Sequence, residues 1–450
     1  MLRRAFLFLL ALPLAACVGQ PYGMGGPGAI PAPIGGAGPA PRSQVAALLP
    51  LSGPNAALGQ AMLQAAQLAL APPGSPPLDA EDTGGTPIGA ESAARAALAK
   101  GAGLFIGPLT AAETAAVAPI AQAASVPMLA LTSDAAQARP GVWTLGITPG
   151  QQVRALVQAV QADGKTRFAA VLPQGAFGSA LADGLTAAAA EAGLPPPALQ
   201  RYAPRSTSAL DRALKDVSDY ASRRDALKAR QQAAQATPTA PPAATPETPA
   251  VPATPPSGDA AAGQPPDQQQ AAQVPPVTPE TQPASPSEPP PLPPLLFDAL
   301  LLGAVGPDLG PAAAQLAPDG IAPSDVRVLG PALWEREAVH VPALAGAWFA
   351  APDPAVRKPF EAAFAARYGM PPRPLASLAY DAGGLARAAA GPHGFDVGLL
   401  QRPEGFAGSD GLLALLPDGR VRRGFAIFEV QPGGAHIIQP APQSFTTPGA

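Results

Sequence analysis

The chain has 450 residues, of which 47% are hydrophobic and only 13% charged, with a formal net charge of −4. That length accommodates two core-forming domains with chain to spare, and the lack of any basic excess argues against a nucleic-acid partner. Proline occurs 63 times; because helices and central strands exclude it, it must be concentrated in linkers.

The chain opens with MLRRAFLFLLALPLAAC. Arg3 and Arg4 form a positive start, Ala5–Leu14 a short apolar core, and Leu14-Ala15-Ala16 lead into Cys17. The apolar run is shorter than the roughly 20 residues that span a bilayer, so residues 1–17 read as an export signal. The segment resembles a bacterial lipoprotein signal, which implies lipidation at Cys17 and attachment to a membrane through a lipid anchor. Val18 follows where aspartate would imply retention at the inner membrane, so the resemblance implies the periplasmic side of a Gram-negative outer membrane. Cys17 is the only cysteine, so no disulfide can form within the chain. Residues 18–42 are rich in Gly and Pro and read as a flexible tether.

From Val45 the pattern alternates. Val45–Leu49 is an apolar run ended by Pro50, as in a buried parallel strand. A turn at Ser52-Gly53-Pro54 leads into a helix over Asn55–Leu70. Strands follow at Leu78–Asp82, Leu104–Ile106 and Pro127–Leu131, with helices at Ile88–Lys100 and Ala111–Ala124. This alternation predicts a doubly wound parallel sheet. It restarts after Thr148, with a helix at Gln151–Asp163, a strand at Phe168–Leu172, a turn at Gly175–Gly178 and a helix at Ser179–Gly193. Leu210–Arg230 reads as one helix with a charged, solvated face. Residues 231–294 are built of Pro, Ala, Gln, Thr and Ser, too poor in apolar surface to offset ordering, and read as a disordered insert.

Strand character returns at Leu295–Leu302, Val326–Gly330 and Gly346–Ala350, with helices at Pro311–Ala317, Ala355–Tyr368 and Pro374–Ala390. Leu412–Leu416 and Phe425–Val430 flank Asp418-Gly419, which predicts a β-hairpin.

These pieces in order, including LLPLSGPNAALGQAMLQAAQLAL, FIGPLTAAETAAVAPIAQAASVPMLALTSD, AFGSALADGL, FDALLLGAVG, WFAAPDPAVRKPFEAAFAARYGMPPRPLASLAYDA and GLLALLPDGRVRRGFAIFEV, resemble the type I periplasmic-binding fold. Within it the chain is similar to the leucine-binding-protein-like group and its lipoprotein branch, the penicillin-binding protein activators. The resemblance covers residues 43–440 apart from the insert. It implies an α/β fold of two doubly wound lobes joined by a three-strand hinge. The first lobe would comprise residues 43–147 and 346–410, and the second residues 148–345. A C-terminal hairpin, 411–440, would return to the second lobe, followed by a tail at 441–450. The implied crossings lie near Thr148, near Gly346 and before Leu412.

Turns at the carboxyl ends of strands are where open α/β sheets bind ligands, and a helix N-terminus there suits an anion. The cleft candidates are therefore Ser52, Gly53, Leu109, Thr110, Thr132, Ser133, Asp134 and Phe177; each hydroxyl or carboxylate among them could equally be a helix cap. In the family's amino-acid binders, the turns matching Leu109-Thr110 and Thr132-Ser133-Asp134 hold the ligand's carboxylate and ammonium, helped by a tyrosine in the second lobe. Here Phe177 stands at that tyrosine position and Leu109 at a hydroxyl position. The family's acidic ammonium partner falls near Gly330–Glu335.

No nucleophile elbow, P-loop or dinucleotide fingerprint is present, and His340, His393 and His436 form no metal-ligand spacing. Asp381 follows an apolar helical stretch, where a structural hydrogen bond is the expected role. The reading is a protein that is not an enzyme and has no cofactor or metal. Its implied partner is a penicillin-binding protein, a peptidoglycan synthase that it binds and stimulates. The alternative is a solute-binding lipoprotein that delivers an amino acid or similar small polar ligand to an ABC transporter.

Overall fold

The computed structural model describes residues 42–236, 292–323 and 325–445. Cys17, the expected signal, all but the last residue of the tether, most of the insert and the end of the tail lie outside the described residues.

The first sheet takes its strands from the amino-terminal alternation. They are β1 (Gln44–Leu49), β2 (Leu78–Asp82), β3 (Ala102–Ile106), β4 (Met128–Ala130) and β5 (Val142–Thr144). Their order is β2-β1-β3-β4-β5 and every pairing is parallel. The helices between them are α1 (Ala56–Ala69), α2 (Pro87–Ala99) and α3 (Ala111–Ala123). β1 shows why its sequence is apolar throughout. Val45, Ala47 and Leu49 enter one core cluster, and Ala46 and Leu48 enter another on the opposite face. Successive side chains alternate faces, and both faces are covered. Edge strand β2 instead carries Asp79 and Glu81, both paired with Lys100, which suits a strand with one unpaired side.

The second sheet is built around β6 (Phe168–Pro173), flanked in sequence by α4 (Pro149–Ala162) and α5 (Ala176–Glu191). β7 (Ala198–Tyr202), α6 (Thr207–Val217) and α7 (Tyr220–Ala236) follow. After residue 292 come β8 (Ala299–Leu302), α8 (Leu309–Leu316), β9 (Arg327–Gly330), the short α9 (Trp334–Glu337) and β10 (Trp348–Ala351). The chain then passes through α10 (Pro354–Tyr368), α11 (Ala376–Ala389), a small hairpin of β11 (Ala390–Gly391) and β12 (Gly394–Phe395), and α12 (Val397–Leu400). β13 (Phe406–Gly408), β14 (Gly411–Leu415) and β15 (Val421–Arg423) form a small antiparallel sheet. β16 (Ala426–Gln431) and β17 (Gly434–Gln439) complete the second sheet, in the order β17-β16-β10-β9-β8-β6-β7. Helices α10 and α11 return to the first sheet: Phe360, Phe364 and Leu378 share a core cluster with Val45 and Leu49. The result is the mixed α/β, two-sheet architecture expected.

Several local expectations are corrected. Strands β5 and β7 depart from the expectation: β5 is three residues long, and edge strand β7, Ala-Leu-Gln-Arg-Tyr, buries only Tyr202 and has no apolar run. The helix expected over 210–230 is two helices, broken at Asp219, whose φ of 49° is left-handed. α7 runs on to Ala236, so the insert expected from residue 231 begins later. The expected turn at 175–178 is already helix from Ala176. The strand near 346–350 pairs with β9 and β16, so it belongs to the second sheet and not, as expected, to the first lobe. The expected hairpin 412–430 does not form. β14 turns at Asp418-Gly419 into β15, and β16 leaves to pair with β10. β15 buries Val421 and Arg423 and leaves Arg422 half-buried, and Gly424-Phe425 carry the chain across. The crossings between sheets therefore lie at 145–148, 352–353 and 424–425, the last well after Leu412.

Candidate functional site

The β1–α1 turn is a ring of backbone donors, as the sequence implied, but its acceptor is supplied by the chain itself. One Asp82 oxygen accepts from the amides of Leu51 (2.8 Å), Ser52 (3.1 Å) and Gly84 (2.8 Å). Hydrogen bonds from Ser52 and these amides hold the Asp82 carboxyl below the usual carboxylate range, against the opposing effect of burial. Gly53 has φ +77° and a Cβ there would lie 3.1 Å from the Gly84 carbonyl, so glycine is what lets the two turns meet.

The β3–α3 turn is closed in the same way. Thr110 caps α3, its hydroxyl accepting from the Glu113 amide (3.3 Å) and donating to the Glu113 carboxylate (2.7 Å). The Thr110 amide donates to the same carboxylate at 3.0 Å, completing a capping box. Glu113 is fully buried, and its other oxygen accepts from the Thr83 hydroxyl at 2.5 Å. Leu109 packs against the core beneath the first sheet. After β4, the Thr132 hydroxyl accepts from the Asp134 amide (3.1 Å), while Asp134 accepts from the Ala136 amide (3.0 Å) and the Gln137 side chain (3.2 Å).

A cleft of ≈ 830 Å³ opens between the turn after β4 and helix α5. Thr132, Ser133, Asp134 and Phe177 line it; Ser52, Gly53, Leu109 and Thr110 do not. Its far wall is the small-residue face of α5, with Ala176, Ala180, Gly184 and Ala187. Gly184 lets α5 approach α4, because a Cβ there would lie 2.7 Å from the Cα of Gly150. The cations at the cleft are already neutralised. Arg154 makes a two-pronged pair with Glu191 (2.7 and 2.8 Å), and Arg420 pairs with Asp418 at 2.6 Å. The acid expected near 330–335 is not in the cleft lining: Glu335 is exposed on α9, and Trp334 is buried with its indole N–H on the Ala304 carbonyl (2.9 Å).

A cluster of buried charged groups sits at the crossings instead. Arg423, at the end of β15, donates to the Leu145 carbonyl at 3.0 Å and places its other terminal nitrogen 3.8 Å from Asp381. The other Asp381 oxygen accepts from the Ser409 amide (2.6 Å) and hydroxyl (2.8 Å), the structural hydrogen bonding expected of it. Next to it, Asp410 accepts from Arg357 (2.7 Å) and Ser377 (2.7 Å). Burial, reinforced by Asp410 and opposed by Arg423, pushes the Asp381 carboxyl up to about 6. The first crossing is tied to β15 as well: Gln151, in a capping box with Thr148, donates to the Val421 carbonyl at 2.6 Å. The sequence offered Thr110-x-x-Glu113 and Thr148-x-x-Gln151 as readable capping boxes. It carried no local signal for Asp82 or for the Asp381–Arg423 pairing. Among the described residues no cluster of His, Cys, Asp and Glu could hold a metal ion, and His340, His393 and His436 are exposed.

Two parallel-core sheets linked by three crossings, with a cleft at the strand ends, define the architecture. Residues 43–221 match the family model for periplasmic binding proteins. The protein has the type I periplasmic binding fold. Solved structures agree. A Rhodospirillum rubrum protein assigned to branched-chain amino acid ABC transport is similar at TM-score 0.60 and 19% identity, over 88% of this chain and 100% of that one. Full-length LpoA from Haemophilus influenzae is similar at TM-score 0.56 and 16% identity; 88% of this chain covers 59% of that longer chain. The C-domain of LpoA, called a regulator of PBP1A, is similar at TM-score 0.55 and 15% identity over 88% of this chain and 100% of that domain. At these identities the likeness is one of fold. No curated protein sequence matches the chain. The fold implies a periplasmic or envelope location, and among the described residues no helix is long and apolar enough to cross a membrane.

Proposed function

We propose that the protein is a non-enzymatic envelope lipoprotein, anchored through Cys17 to the periplasmic face of the outer membrane, that binds and stimulates a penicillin-binding protein, a peptidoglycan synthase. The observation that carries this reading is the state of the strand-end turns. The donors that would receive a ligand carboxylate are already bound to Asp82, and the Thr110 hydroxyl is committed to Glu113. A free amino acid would have to displace internal carboxylates that belong to the chain itself and so compete intramolecularly for the same donors. The cations lining the cleft are paired, and its α5 wall is largely apolar. The likeness to LpoA supports the same reading at the level of fold.

The cleft itself favours a second reading, a solute-binding lipoprotein of an ABC transporter. Its ≈ 830 Å³ falls within the usual range for small-molecule sites, and Ser133 and Asp183 present polar groups to it. The deciding experiment cross-links the full lipoprotein in cells and identifies partners by mass spectrometry. Recovery of a bifunctional peptidoglycan synthase, with stimulated glycan polymerisation when the purified proteins are mixed, is the expected result. Recovery of an ABC permease without a synthase sinks it.

A further inference from the structure

A second cavity, of ≈ 310 Å³, lies beside the third crossing, between α4, β15 and the C-terminal stretch 439–445. Its chemistry is unlike that of the cleft. Arg154, Arg422 and Arg423 line it, and no aspartate or glutamate does. Arg423 directs its charge toward Asp381 and Arg154 is held by Glu191. Arg422 is the exception: no ion pair is formed by it among the described residues. Its Nε is shut off from solvent without a hydrogen-bond partner, and one terminal nitrogen reaches only the Phe445 carbonyl, at 3.5 Å. The guanidinium lies 4.0 Å over the Phe445 ring. A half-buried guanidinium with no counter-charge bears a desolvation cost that a bound anion would offset. Burial, and secondarily the charge of Arg154, lower the Arg422 pKa.

We propose that this cavity binds a small molecule through an oxyanion group, phosphate or carboxylate. The Arg422 fork would meet the oxyanion, and Gln158 would offer an amide donor at the rim. Phe425, Ile427, Pro440 and Pro442 make an apolar wall for the rest of the molecule. Planar guanidinium donors match both oxyanions in two-pronged geometry. The cavity shares only Gln151 and Arg154 with the cleft considered above, and the proposal stands whichever function is correct. Its position against Gly424-Phe425 puts an occupant in contact with the strand that crosses between the sheets.

The test follows arginine Nε–Hε resonances of the full chain during titration with inorganic phosphate and, separately, with acetate. Sodium chloride at matched ionic strength is the control. The expected result is a saturable shift of the Arg422 resonance that chloride does not produce. The tighter of the two probes identifies the oxyanion. Arg422→Gln should weaken binding about tenfold or more, the usual effect of losing a charged hydrogen bond. Arg422→Lys, which keeps the charge and spares the fold, should bind more weakly than the wild type. A shift that chloride reproduces overturns the proposal, as does a folded Arg422→Gln or Arg422→Lys variant with wild-type affinity.

Discussion

The strand-end turns of the first sheet and the crossings between the sheets handle buried polar groups in opposite ways. In the turns, partners come from the same turn or from neighbouring turns of one sheet: Thr110 with Glu113, Thr132 with Asp134, Asp82 with Leu51 and Ser52, and Glu113 with Thr83. Each cluster satisfies itself, so it is rigid and indifferent to the other sheet. At the crossings, Asp381 on α11 meets Ser409 and Arg423 from distant segments, and Arg423 also holds the Leu145 carbonyl. That cluster is incompletely satisfied. One Asp381 oxygen and two Arg423 nitrogens are buried without hydrogen bonds, and the pair is held at 3.8 Å by charge alone. Local closure of the turns removes them as ligand donors, whereas the long-range charge at the crossings ties the geometry of the hinge to the folding of the chain.

The strongest test of this contrast is Arg423→Leu. Removing one member of a buried pair leaves Asp381 uncompensated, and the expected loss is about 3–5 kcal/mol in chemical denaturation. A loss no greater than that of a surface substitution would show that Asp381 does not depend on its cation.

The pH dependence of Asp381 comes next. Its carboxyl is raised from 3.8 to about 6 in the fold. Between those values the folded protein holds a proton that the unfolded chain has released. Its contribution is therefore fully present below pH 3.8 and lost as pH rises through about 6. The full effect is of order 3 kcal/mol. Asp410 and Arg423 face the same carboxyl, so the comparison is with Asp381→Asn, which should abolish this falling segment in a series of thermal melts. If the variant keeps the same slope, the titrating group lies elsewhere.

The smallest effect belongs to the turns. Thr110→Ala removes a helix cap and should cost about 1 kcal/mol. Because the capping box is local, combining it with Arg423→Leu should give additive losses, within about 0.5 kcal/mol. A larger coupling, measured by a double-mutant cycle, would join the two regions and break the comparison.

The central strands of both sheets were legible in the sequence. Val45–Leu49 and Phe168–Leu172 are apolar at every position because helices cover both faces of a parallel strand, and that pattern survives without knowledge of the fold. The capping boxes of α3 and α4 are local in the same sense, since their donors and acceptors lie within three residues. What the sequence could not carry was membership. Trp348–Ala351 reads as a strand in either lobe, and only its pairing with β9 and β16 puts it in the second sheet. The Asp418-Gly419 turn is equally readable, but whether Phe425–Val430 returns to β14 or leaves for β10 depends on which partner buries its apolar face. The site divided along the same line. The residue types at the strand ends were visible in the chain, while Asp82 filling the first turn, and Arg423 reaching Asp381 and Leu145 together, were decided by the tertiary structure. Those contacts join residues far apart in sequence: the first exists only once β1 and β2 have paired, and the second only once the two sheets and the strands crossing between them have come together.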